Sequence, residues 1–108
     1  MSVIMTLRLE GDPAKLEQYA AANKDKIAGI RDRAVGHGLI AHRFVGSVDG
    51  NSIMVADEWP DQESFQAFFS EAQADIGPML QEVGISNEPQ PEFWRTLETH
   101  DKYGWQAA

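Results

Sequence analysis

Between His37 and Phe69 the pattern of apolar and polar positions changes character twice. Leu39 to Val45 and Ser52 to Trp59 are short, β-branched and apolar runs, and Asp49-Gly50 lies between them. Such a dipeptide between two such runs predicts a hairpin, because a tight turn matched to strand twist needs positive φ. Pro60 ends the second run, and Asp61 stands where a helix N-cap belongs. Beyond it Phe65, Phe68, Phe69 and Ala72 recur at helical spacing, so the unit reads as strand, turn, strand, helix.

The flanking segments extend this unit on both sides. Val3, Met5, Leu7 and Leu9 alternate with Ile4, Thr6, Arg8 and Glu10 and predict a first strand. Asp12-Pro13 supplies an N-cap followed by proline at the first helical position. From there one helix is expected as far as Val35, with Leu16, Ala20, Asn23, Ile27, Ile30 and Ala34 on one face, Tyr19 beside it and Gly36 as its stop. The apolar phase of the second helix continues through Ile76, Met79, Leu80 and Val83, but Gly77-Pro78 predicts a break into two short helices. A proline-spaced connector then leads to a last strand over Phe93 to Leu97, expected at a sheet edge. The tail carries His100, Tyr103 and Trp105, aromatic content that predicts docking.

The order β-α-β-β-α-β predicts a single-domain, α+β ferredoxin-like sandwich over residues 1–108, with a four-stranded antiparallel sheet and both helices on one face. The other face should then be polar. Yet Val3-Ile4-Met5, Leu39-Ile40-Ala41 and Ile53-Met54-Val55-Ala56 are apolar on both parities, as in strands covered on both sides. A second copy packed sheet to sheet would supply the missing cover, so a homodimer is expected.

Composition narrows the classes of partner. Seventeen Asp and Glu against nine Lys and Arg give a net charge of −8, which argues against binding nucleic acid or an anionic membrane surface. No apolar run approaches the roughly 20 residues of a membrane helix, and the start lacks a basic leader pattern, so a cytoplasmic location is expected. Absence of cysteine removes disulfides and thiolate chemistry, and three scattered histidines do not make a metal site. No cofactor motif is present, and none is expected.

One constellation carries chemistry. A two-residue loop at Asp49-Gly50 places His42 opposite Asp57, whereas a three-residue loop places it opposite Glu58. Either way a histidine faces a carboxylate across two strands. A carboxylate orients an imidazole, which suits it to act as a general base toward an acidic C–H or phenol; a purely structural pair is the alternative. Trp59, at the strand end, can stack on a flat ligand. Asn23, the one amide on an apolar helix face, needs either hydrogen-bond partners or a ligand.

The element order, the size and the stretch VADEWPDQESFQAFFSE resemble the dimeric α/β-barrel superfamily, particularly antibiotic-biosynthesis-monooxygenase-like domains. The resemblance implies a barrel-like dimer with a pocket between sheet and helices in each subunit, and Trp59 matches the family's pocket tryptophan. Haem-degrading relatives carry a histidine nine residues after that tryptophan; here the position is Phe68, which cannot ligate iron. They also use an asparagine on the first strand, and Ser2 to Glu10 contains none. Two functional readings follow. The first is a small-molecule enzyme, in the manner of a cofactor-independent monooxygenase, with His42 and Asp57 as catalytic residues. In it Trp59, Asn23, Phe68 and Tyr19 hold an apolar or aromatic substrate. The second is a non-catalytic dimeric module that binds a ligand or a partner.

Overall fold

The computed structural model describes residues 1–104, so Trp105 lies outside the described residues. Strand β1 (Val3–Glu10) is followed by helices α1 (Pro13–Ala22) and α2 (Lys24–Gly36), the hairpin β2 (Ala41–Gly46) and β3 (Ser52–Trp59), helix α3 (Gln62–Val83) and strand β4 (Glu92–Trp94). The sheet order is β2-β3-β1-β4, with every neighbour antiparallel. This is the expected ferredoxin-like arrangement, with the helices against one face.

Three local expectations need correction. The first helix is two helices, because Asn23 leaves helical geometry at φ −132° and ψ 45°. Its side-chain amide donates to the Tyr19 carbonyl at 2.9 Å, the kind of local bond with which asparagine competes against a helix ladder. In the second helix, Gly77-Pro78 does not break the run: α3 is continuous from Gln62 to Val83 with Pro78 inside it. Pro78 is exposed, so water can serve the carbonyl that loses its N–H partner. The hairpin loop spans Val48 to Asn51 rather than two or three residues. Gly50 at φ +79° donates to the Ser47 carbonyl, and the Ser47 hydroxyl accepts from the Asn51 and Ser52 amides.

Capping and packing follow from named side chains. Asp12 accepts from the Ala14 amide and Asp61 from the Ser64 amide, each closing the start of a helix. Gly84, left-handed at φ +86°, ends α3 by donating to the Leu80 carbonyl. The core gathers Met5, Leu7 and Leu9 of β1, Ile53, Val55 and Trp59 of β3, and Phe65, Phe68, Ala72, Met79 and Val83 of α3. Strand β4 is shorter than expected and lies at the edge, bonded only to β1. Beyond it the Asn87 side chain takes over a sheet neighbour's role, accepting from the Glu10 amide and donating to the Arg8 carbonyl.

Bonds from Ser64 hold the Asp61 carboxyl below its usual range. A depressed carboxylate contributes stability above its unfolded pKa and loses it as pH falls through the lower folded value. Asp61→Ala is therefore expected to melt at lower temperature than the parent at pH 7. The gap should close in acid, below the folded pKa, as thermal scans across pH would show.

The outer sheet face is more mixed than the sequence pattern predicts. Ile4, Val45, Met54, Ala56 and Trp94 share it with Arg8, Arg43, Glu58 and Glu92. Val45, Met54 and Trp94 are 39%, 40% and 53% exposed, so an apolar patch remains, smaller than continuous strand hydrophobicity implies. Tyr103 stands 97% exposed, so the expected docking of the tail is not seen as far as Gly104. Among the described residues no helix is long and apolar enough to cross a membrane.

Candidate functional site

The hairpin register sets the site. His42 pairs with Asp57 and Phe44 with Val55, all on the helix-facing side of the sheet. His42 Nδ1 lies 2.7 Å from Asp57 Oδ1, and Trp59 Nε1 donates to Asp57 Oδ2 at 3.1 Å. The Asp57 side chain is 8% exposed. A buried carboxylate is costly unless hydrogen-bonded, and here each oxygen has an N–H partner.

This network assigns the imidazole. An ionised carboxylate only accepts, so the neutral ring carries its hydrogen on Nδ1 and its lone pair on Nε2. Nε2 has no partner among the described residues. The ring also meets Phe44 edge-on, with centroids 5.0 Å apart. Held on one side by Asp57 and on another by Phe44, His42 presents an oriented base.

His42 and Asp57 lie on the wall of a cavity of about 300 Å³ between sheet and helices. That volume falls at the small end of the range for ligand pockets. Leu7 and Val55 line it from the sheet, Ile27 and Ile30 from α2, and Phe68 and Phe69 from α3. β2, the edge strand that carries His42 and Phe44, is exposed along its whole length.

Sequence-predicted residues divide cleanly. His42, Asp57 and Phe68 come together on this cavity. Trp59 does not line it: the indole is fully buried against Phe65 and Phe68, and its N–H is committed to Asp57. It supports the site from behind rather than stacking on a ligand. Tyr19 lines a separate cleft with Lys26, Arg33, Asp75 and Glu82, and Asn23 marks the break between α1 and α2. His37 caps α2 and lies 2.6 Å from Glu71, pinning α2 to α3. Arg31, absent from the sequence expectations, stands on the cavity wall one turn from Ile27 and Ala34. Its position on the same helical face was the available signal. Among the described residues no three His, Asp or Glu side chains converge on a metal-sized site.

No family model matches the chain, and no curated protein matches it. Solved structures do match. A monooxygenase from Streptomyces coelicolor, the product of ActVA-Orf6 in complex with nanaomycin D, is 17% identical with a TM-score of 0.64. The match covers 91% of this chain and 88% of that one. SnoaB, a cofactor-independent oxygenase from Streptomyces nogalater, is 19% identical with a TM-score of 0.60, over 94% and 98% of the two chains. A dimeric ferredoxin-like protein from an uncultured marine organism is 13% identical with a TM-score of 0.66, over 94% and 93%. The chain thus shares the ferredoxin-like α+β fold of these structures.

Proposed function

We propose that this protein is a small cofactor-independent monooxygenase acting on an apolar or aromatic molecule held between sheet and helices. The observation that carries the reading is an oriented His42, its Nε2 free, on the wall of an apolar cavity. A substrate with an acidic methylene or phenol gives its proton to Nε2, and Asp57 steadies the imidazolium through Nδ1. The electron-rich carbon then bonds to dioxygen, forming a peroxide that takes the proton back from His42. Loss of a second substrate proton and of hydroxide, which together leave as water, turns that carbon into a carbonyl. One oxygen atom enters the product, the other leaves in water, and all four electrons come from the substrate. No reduced cofactor is consumed.

The test is oxygen consumption on a panel of quinols and polyketide-like phenols, without added metal or flavin. Turnover by the parent and its loss in His42→Ala are expected. Saturable binding without any oxygen uptake would instead favour the non-catalytic ligand-binding module.

The working unit in this proposal is a homodimer, in which the apolar part of the outer sheet face meets its own copy. Exposed Val45, Met54 and Trp94 support it, since an apolar patch of this kind marks interaction sites. The fold match to a dimeric ferredoxin-like protein points the same way. Sedimentation at micromolar concentration is expected to give about twice the 12.0 kDa chain mass. Met54→Lys puts a charge on that face without touching the core, so a folded monomer is expected. A parent that sediments as a monomer would remove the dimer from the account.

A further inference from the structure

We infer that the cavity takes an aromatic carboxylic acid, with its rings between sheet and helices and its carboxylate on Arg31 at the mouth. This rests on the reading of the cavity as a substrate site. Among the described residues, only three polar side chains line it: His42, Asp57 and Arg31. Both Asp57 oxygens are already occupied by His42 and Trp59, so a ligand's polar groups have two side chains left to meet. One is a base. The other is a guanidinium.

Arg31 projects from the α2 face that also carries Ile27, Ile30 and Ala34, and its side chain is 58% exposed. It thus lines the cavity while more than half of it stays in solvent, the division in which an arginine lays its apolar stem on a wall and keeps its charged head in water. The head's bonds are local: Nε and one terminal nitrogen both reach a single oxygen of Asp32, at 3.2 and 3.0 Å. Asp32 is itself 69% exposed, and ion pairs this open hold little free energy. The remaining guanidinium N–H groups have no partner among the described residues. A guanidinium fork matches the two oxygens of a carboxylate better than it matches a neutral amide or hydroxyl.

The charge of the whole molecule sharpens the point. At a net charge of −8, long-range attraction does not gather anions, so any preference for one must arise locally. Two other cations of α2 face elsewhere. Arg33 pairs with Asp75, and both Arg33 and Lys26 line the separate cleft. Recognition of a carboxylate at this mouth thus depends on one side chain.

Calorimetric titration with 2-naphthoate and with its neutral isostere 2-naphthamide tests this on the full chain. The parent is expected to prefer the acid by about tenfold, the scale of one charge-assisted contact at a partly exposed site. The preference should shrink as salt rises. Arg31→Met keeps much of the apolar stem and is expected to bind both ligands equally, with the amide bound as in the parent. Arg31→Lys should keep part of the preference. Equal affinity in the parent, or a preference that survives Arg31→Met, would overturn the inference while leaving the cavity as a ligand site. Binding of neither ligand would overturn both.

Discussion

His42→Ala is expected to lower the rate of oxygen consumption by about 10²- to 10⁴-fold, the usual contribution of a positioned general base. The loss should fall on kcat, because the rings of the substrate still meet the same apolar walls. Two further variants separate chemistry from architecture. His42→Gln can still offer an N–H to Asp57 but has no basic nitrogen, so it should be as slow as His42→Ala and lose less stability. Asp57→Asn leaves His42 in place but removes the charge that selects its tautomer, and a smaller fall in kcat is expected. If His42→Ala retained full turnover, the base would have to be sought elsewhere and the cavity reading would lose its chemistry.

The largest structural effect is expected at Trp59. Its side chain is fully buried and packs against Phe65 and Phe68 at centroid distances of 5.7 and 5.5 Å. Truncating such a residue to alanine costs about 3–5 kcal/mol, much of a small domain's total stability. For a chain of this size that is a fall in Tm on the order of 15–30 °C, readable in a thermal scan. Trp59→Phe isolates the second role of the indole. It refills most of the space but leaves Asp57 Oδ2 without its donor, at a cost of about 1–3 kcal/mol for an unsatisfied buried acceptor. With Asp57 held on one side only, His42 loses part of its support, so kcat should fall even where the protein remains folded. A Trp59→Phe variant with normal kcat would limit Trp59 to a packing role.

How the site was written into the sequence is clearest at the hairpin. The pairing of His42 with Asp57 depends on the sum of the two strand positions, and a symmetric loop of two or four residues leaves that sum unchanged. The register was therefore legible although the loop was not. What decided the loop was the Ser47 hydroxyl, which accepts backbone amides that a tighter turn would pair differently. The helices were legible in phase but not in continuity. Asn23 looked like a polar intruder on an apolar stripe and proved to be the point where the helix divides. Pro78 looked like a break and sits inside an intact helix, on its solvent side.

Burial was harder to read. Trp59 at a strand end beside a pocket suggested a stacking platform, but which side of the wall a large ring occupies depends on how Phe65 and Phe68 fill the space above it. Arg31 was missed for the opposite reason. Arg31 shares the helical face of Ile27 and Ala34, but a charge beside Asp32 suits solvent equally well, and the placement of α2 over the sheet is what brings that face to the cavity.

The central claim is that His42 removes a proton from a molecule inside this cavity, and proton removal can be watched apart from oxygen chemistry. Anthrone, whose methylene flanked by two rings is acidic, is mixed with the protein in D₂O under strictly anaerobic conditions. Deuterium incorporation is then followed by mass spectrometry. The account predicts exchange well above the buffer rate with the parent, and exchange at the buffer rate with His42→Ala. Equal incorporation by parent and His42→Ala would contradict it.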